Sequence, residues 1–197
     1  MWLNNRAEIK RAWHGEPEKT PRRRPLFAHT TCIVCSGIVA AALMPPSAMA
    51  EGLITTHRIP AMLAIEAVSE AVTVCAKQGF HVTALIVDVD GVKLALLRGD
   101  NAPIHTVDGV YGKTYVAASL APLANLDTSA AMAARVTANP ALAGLQFLPN
   151  ISLIPGGVTI KVGDEVVGAI GVAGGPGGNY DENCARAGLD KIKDRLN

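Results

Sequence analysis

The stretch Ile151–Leu189 reads ISLIPGGVTIKVGDEVVGAIGVAGGPGGNYDENCARAGL, and its punctuation decides the fold. Val158, Ile160 and Val162 alternate with Thr159 and Lys161, the period-2 pattern of a half-buried strand. Gly163-Asp164 supplies a turn, and a partner strand follows from Glu165 to Ala173. Gly168 and Gly171 interrupt that partner, so the sheet bends there or another element packs against bare backbone. The run Gly174-Gly175-Pro176-Gly177-Gly178 turns the chain over the sheet edge. A helix then begins, with Asn179 as its expected cap and Glu182 completing a capping box.

Upstream, the same two periodicities alternate. Ile59, Met62, Leu63, Ala67, Val68, Ala71, Val72 and Cys75 form one apolar face of a helix expected over 59–77, stopped by Gly79. Val82–Val89 reads as an apolar strand and Val92–Arg98 as its return, joined at Asp90-Gly91. A loop over Gly99–Pro103 leads to a helix from Ile104 to Leu120, closed by Pro122. A short alanine-rich helix follows over 128–137 with Asp127 as cap, and Asn139–Phe147 is turn-rich. Hairpins separated by helices imply an α+β fold, an antiparallel sheet flanked by helices, rather than a doubly wound one. The glycine corner has no G-x-G-x-x-G spacing and no Gly-Lys-Ser/Thr, which argues against nucleotide binding.

Residues 1–50 stand apart. A basic segment carrying Arg22-Arg23-Arg24 precedes an apolar run, Thr31–Met44, and Ala48-Met49-Ala50 closes it. This is the layout of a secretory signal peptide cut after Ala50, by the general or the twin-arginine route. The apolar run of 14 residues is shorter than the roughly 20 a membrane-spanning helix requires. The mature chain, 51–197, is therefore expected as one exported domain, periplasmic or extracellular, without stable membrane insertion. The prefix holds seven of the 18 Lys/Arg and three of the 17 Asp/Glu, which leaves 11 against 14 and a net charge of −3. A mildly acidic domain is a poor partner for nucleic acid. Both tryptophans lie in the prefix, and only Cys75 and Cys184 remain of four cysteines. In an oxidising compartment these two can pair, although two buried thiols are the commoner outcome.

For chemistry the informative segment is Pro103–Lys113. His105 opens a helix thinned by Gly109 and Gly112, which leaves room for a neighbouring helix or a flat ligand. Lys113 lies two turns on and is placed to meet an anionic group, with Tyr111 and Tyr115 as oxygen donors nearby and His57 as a second imidazole. His81, at the start of a strand, reads as structural. No nucleophile–base set, H-E-x-x-H or paired carboxylate motif is present, so binding is expected rather than catalysis by side chains.

The segments GDEVVGAIGVAGG and DENCARAG, with LIVDVDGVKLALLRGDNAP, GKTYVAAS and Pro155-Gly156-Gly157, resemble the GlcG/HbpS family, which includes the C-terminal domain of PduO-type corrinoid adenosyltransferases. The resemblance runs from about Ile59 onward. It implies a profilin-like α-β-α sandwich, a homo-oligomer, and heme as cofactor, with His105 as iron ligand and His57, Gly109, Tyr111, Gly112 and Lys113 around it. Heme storage, sensing or degradation would follow. Family members more often read R-M-D-G-A and K-A-x-T-A where this chain has Arg98–Ala102 and Lys113–Ala117, so the resemblance carries the fold further than the site. The alternatives are an oligomeric module for another small molecule, an organic acid or a corrinoid, and an enzyme acting on a small acid.

Overall fold

A computed structural model describes Gly52 and residues 54–196; the expected signal peptide and its cleavage point lie outside the described residues. The elements are α1 (Ala61–Lys77), β1 (Thr83–Asp88), β2 (Lys93–Arg98), α2 (His105–Ala118), α3 (Leu120–Leu123), α4 (Ser129–Ala138), a 3-10 stretch (Pro140–Phe147), β3 (Gly157–Val162), β4 (Glu165–Ala173) and α5 (Gly178–Ile192). The four strands form one antiparallel sheet in the order β2-β1-β4-β3. Helices α1 and α5 cover one face and α2 covers the other, giving the expected α-β-α sandwich. Among the described residues no helix is long and apolar enough to cross a membrane.

Strand β1 is buried along its whole length because both faces are covered. Ala84 and Ile86 face α1 and α5, whereas Leu85 and Val87 face α2. The two glycines facing α2 explain its close approach. A β-carbon on Gly171 would lie 2.0 Å from Thr114 Oγ1, and one on Gly157 would lie 2.2 Å from the Lys113 carbonyl oxygen. Of the two readings for glycine in β4, bare backbone under a helix is the one realised at Gly171. On the opposite face α1 and α5 cross where Gly188 meets Ala67 and Ala71, and the same contact is sealed by a disulfide between Cys75 and Cys184. The expectation of two free buried thiols is thereby corrected. Both side chains are fully buried, but each occupies the seam between these helices, 5.8 Å apart at Cα, within the span a disulfide needs.

Several local expectations shift for identifiable reasons. Met62 is two-thirds exposed, and Ala64 takes its place against the core. The cap of α4 is Thr128, whose hydroxyl accepts from Ala131 N–H at 3.0 Å, while Asp127 pairs with Lys161. Helix α5 starts at Gly178, so Asn179 does not cap it. Asp181 instead turns back to accept the Gly175 N–H at 2.8 Å, and Glu182 pairs with Arg186 one turn on. Ala117 and Ala118 are buried within the domain, which removes them from any surface between subunits.

Candidate functional site

The six residues singled out in the sequence do not converge. His105 is the first residue of α2 and is exposed. Beside it, a β-carbon on Gly109 would meet nothing within 4 Å, whereas one on Gly112 would lie 2.7 Å from Ser152 Cβ. Gly112 is thus used by packing inside the domain, not by a ligand. Lys113 reaches no anion from outside; it is 6% exposed and its Nζ lies 2.6 Å from Asp181 Oδ2. A cation removed from water needs such a partner, and Asp181 joins α2 to α5 through it. Tyr111 donates its hydroxyl to the Gly91 carbonyl at 3.2 Å, with Lys93 Nζ 4.5 Å from its ring centre.

His57 lies at the other end of the sheet. Its Nδ1 is 2.7 Å from Glu165 Oε2, and hydrogen bonds from His57 hold the Glu165 carboxyl below its usual range. Glu165 opens β4, whereas Thr106, next to His105, bonds Thr83 Oγ1, which pairs with Ala173 at the close of β4. Eight residues of strand separate the two ends, about 26 Å at ~3.3 Å per residue. Within one chain His57 and His105 therefore cannot share one ligand.

Near the Ala173 end lies a groove of about 520 Å³ lined by Val72, Thr73, Ala76, Lys77, Phe80, His81, Val82, Gly99 and Asp100, within the ~300–1,000 Å³ common for small-molecule sites. Its construction follows from the sequence. Helix α1 stops at Gln78-Gly79, where Gly79 takes φ +81° and its N–H closes on Ala76 O at 2.9 Å. The chain then reverses through Phe80, whose ring meets Tyr180 of α5 edge-on at 5.3 Å. His81 follows, immediately before the buried Val82.

The other wall is the β2–α2 loop. Gly99 N–H bonds Val82 O at 2.9 Å, and a β-carbon on Gly99 would sit 2.8 Å from that same oxygen and 3.0 Å from Val72 Cγ1. The floor at Gly99 is bare backbone for this reason. Asn101 adopts φ +60°, and Arg98 donates from Nε to the Ala102 carbonyl at 2.8 Å, which holds the loop in shape. His81 is exposed, and its Nδ1 lies 2.9 Å from the Asp100 carbonyl oxygen. The sequence reading of His81 as structural missed this groove; the available signal was an aromatic residue and a histidine immediately after a helix stop.

Apolar side chains on the walls, with one imidazole (His81), one ammonium (Lys77), one hydroxyl (Thr73) and one carboxylate (Asp100), suit a flat apolar ligand that carries a metal and an anionic arm met at the Lys77 side. That donor set fits heme, which a neutral imidazole ligates and a lysine can anchor by a carboxylate. Among the described residues no group of three or more His, Cys, Asp or Glu is arranged to hold a bare metal ion.

The HbpS-like family model, described as haem degrading protein, matches residues 59–190. HbpS is 31% identical, with a TM-score of 0.63 over 70% of this chain and 92% of its own. The Klebsiella pneumoniae protein ORFY is 24% identical, with a TM-score of 0.65 over 74% of this chain and 97% of its own. A PduOC:heme complex shares the fold at 18% identity and a TM-score of 0.61, covering 69% of this chain and 96% of its own. No curated protein matches the chain. The match over most of the domain, on an α-β-α sandwich of this topology, makes the chain a member of the GlcG/HbpS family of HbpS-like proteins.

Proposed function

We propose that the protein is an exported heme-binding protein and that heme lies in the groove between the end of α1 and the β2–α2 loop. The observation that carries this reading is the groove itself, apolar on its walls and carrying an imidazole, in a member of the HbpS-like family. A neighbour of the same fold has been captured with heme. Bound heme would bring iron redox and oxygen chemistry. The chain's own residues would bind, orient and partly shield it.

Export is supported by the signal-like prefix and by the Cys75–Cys184 disulfide, since such bonds persist in oxidising compartments. Intact mass of the exported protein should correspond to a chain beginning at Glu51; a retained prefix would refute processing there. Self-assembly is supported by the sheet edges. The β3 edge is covered by Asp127 and Thr128, which bond Thr159 and bridge Val158. The β2 edge leaves Leu96 and Leu97 more than one-third exposed, a surface that folded proteins cover or charge.

Hemin titration of the purified protein, followed in the Soret region, tests the function. A saturable band at one equivalent per chain is expected. Its absence, with a thermal shift from an organic acid or a corrinoid instead, would give the protein to the alternative small-molecule module.

A further inference from the structure

We infer that His81, not His105, supplies the iron ligand through Nε2, with Lys77 holding a carboxylate arm of the same ligand; this rests on the heme reading above. The argument begins with a proton. A backbone carbonyl only accepts, so the 2.9 Å contact between His81 Nδ1 and Asp100 O requires the proton on Nδ1. In the neutral ring the lone pair then resides on Nε2. An imidazole whose second nitrogen is tied to a carbonyl is the arrangement in which histidine ligates metals, because the outer bond fixes tautomer and ring orientation.

The acceptor is itself held. Asp100 lies between Gly99, bonded to Val82 O, and Ala102, whose N–H closes on Gly99 O at 3.1 Å and whose carbonyl is clamped by Arg98. Gly174 packs on the other side, where a β-carbon would stand 2.5 Å from the His81 carbonyl oxygen. The backbone carrying the imidazole is thus fixed from both sides, while the ring remains exposed to the groove it lines. His105 lacks these features. It is exposed outside the groove lining, and among the described residues its ring makes no hydrogen bond that would set its tautomer. Lys77, in the last turn of α1, is exposed and lines the groove. It forms no salt bridge with the described residues, in contrast to Lys113.

The test compares His81→Ala, His105→Ala and Lys77→Ala with the parent protein, using ferric hemin and metal-free protoporphyrin as probes. His81 and Lys77 are exposed, so native circular dichroism is expected in each. Loss of a direct ligand should weaken hemin by at least the ~10–100-fold that removal of a supporting partner costs at metal sites. His81→Ala should therefore shift the Soret band and weaken hemin by that margin, leave protoporphyrin affinity within twofold (~1–2-fold, below the ~10-fold metal effect), and recover the parental spectrum on addition of imidazole. Lys77→Ala should weaken both probes. An unchanged hemin spectrum in His81→Ala, or a loss that imidazole does not restore, overturns the assignment. So does loss of the ligand spectrum in His105→Ala alone. Failure of the parent protein to bind hemin at all would instead overturn the functional reading.

Discussion

Replacing Cys75 and Cys184 together by alanine should lower the stability of the domain by about 5 kcal/mol. The two residues lie 109 positions apart, so the bond closes most of the domain into a loop. The chain-entropy relation, about −2.1 − 1.5R ln n cal/mol/K, gives roughly −16 cal/mol/K for a loop of that length, or about 4.8 kcal/mol at 25 °C. Alanine is the suitable replacement because both positions are fully buried in an apolar seam, where a serine hydroxyl would add its own desolvation cost. Unfolding entropy of about 2.1 cal/mol/K per residue makes about 0.3 kcal/mol/K for a domain of this size, so Tm should fall by about 15 °C. Circular dichroism against temperature and urea reads the change, and thiol titration of the unfolded, unreduced parent should find no free thiol from this pair. A Tm within about 3 °C of the parent would refute the reasoning, since less than a quarter of the loop-closure effect would remain.

Three further outcomes follow from the structure. Lys113→Met should destabilise the domain by about 3–5 kcal/mol in urea unfolding, because Asp181 is left charged and buried without its partner; adding Asp181→Asn should recover part of the loss. Leu96→Lys on the open edge strand should convert a multimer into a monomer in light scattering with unchanged circular dichroism, and a monomeric parent would refute self-assembly. Glu165 is held below its ordinary range by its hydrogen bonds to His57. Its contribution is therefore present above the ordinary glutamate pKa and lost as pH falls through the lowered value. NMR titration of His57→Ala should move Glu165 part of the way back toward its ordinary range, since the backbone N–H at position 57 still donates to it, and no movement would show that the side-chain pairing is not formed in solution.

Periodicity alone gave the order of elements, because apolar spacing of 2 or 3.6 residues reports which face of a strand or helix meets the core. The hairpins at Asp90-Gly91 and Gly163-Asp164 were legible for the same local reason, since the chain reversal is written in adjacent residues. The family motifs then carried the fold. Helix caps were less legible. Asn179 and Asp127 have the right chemistry for capping, but α4 is capped by Thr128 and α5 starts at Gly178 with no side-chain cap, Asp181 bonding Gly175 ahead of the helix instead.

The site depended on contacts between distant segments, and there the local signals misled. Lys113 looked like an anion ligand because its partner, Asp181, lies 68 residues away. Gly112 looked like an opening for a ligand because nothing in its vicinity announces Ser152. Cys75 and Cys184 could each be read as buried, but whether two buried sulfurs meet depends on how α1 crosses α5, which Gly188 and Ala67 set. His81 shows the limit most plainly. Its sequence neighbours mark only a helix stop and the start of a strand, whereas its hydrogen bond comes from a loop 19 residues on. Sequence by itself determined which residues face the core, since that depends on spacing along one element. Only the tertiary structure decided which polar groups pair and which histidine is oriented, because those choices depend on distances between elements that spacing does not encode.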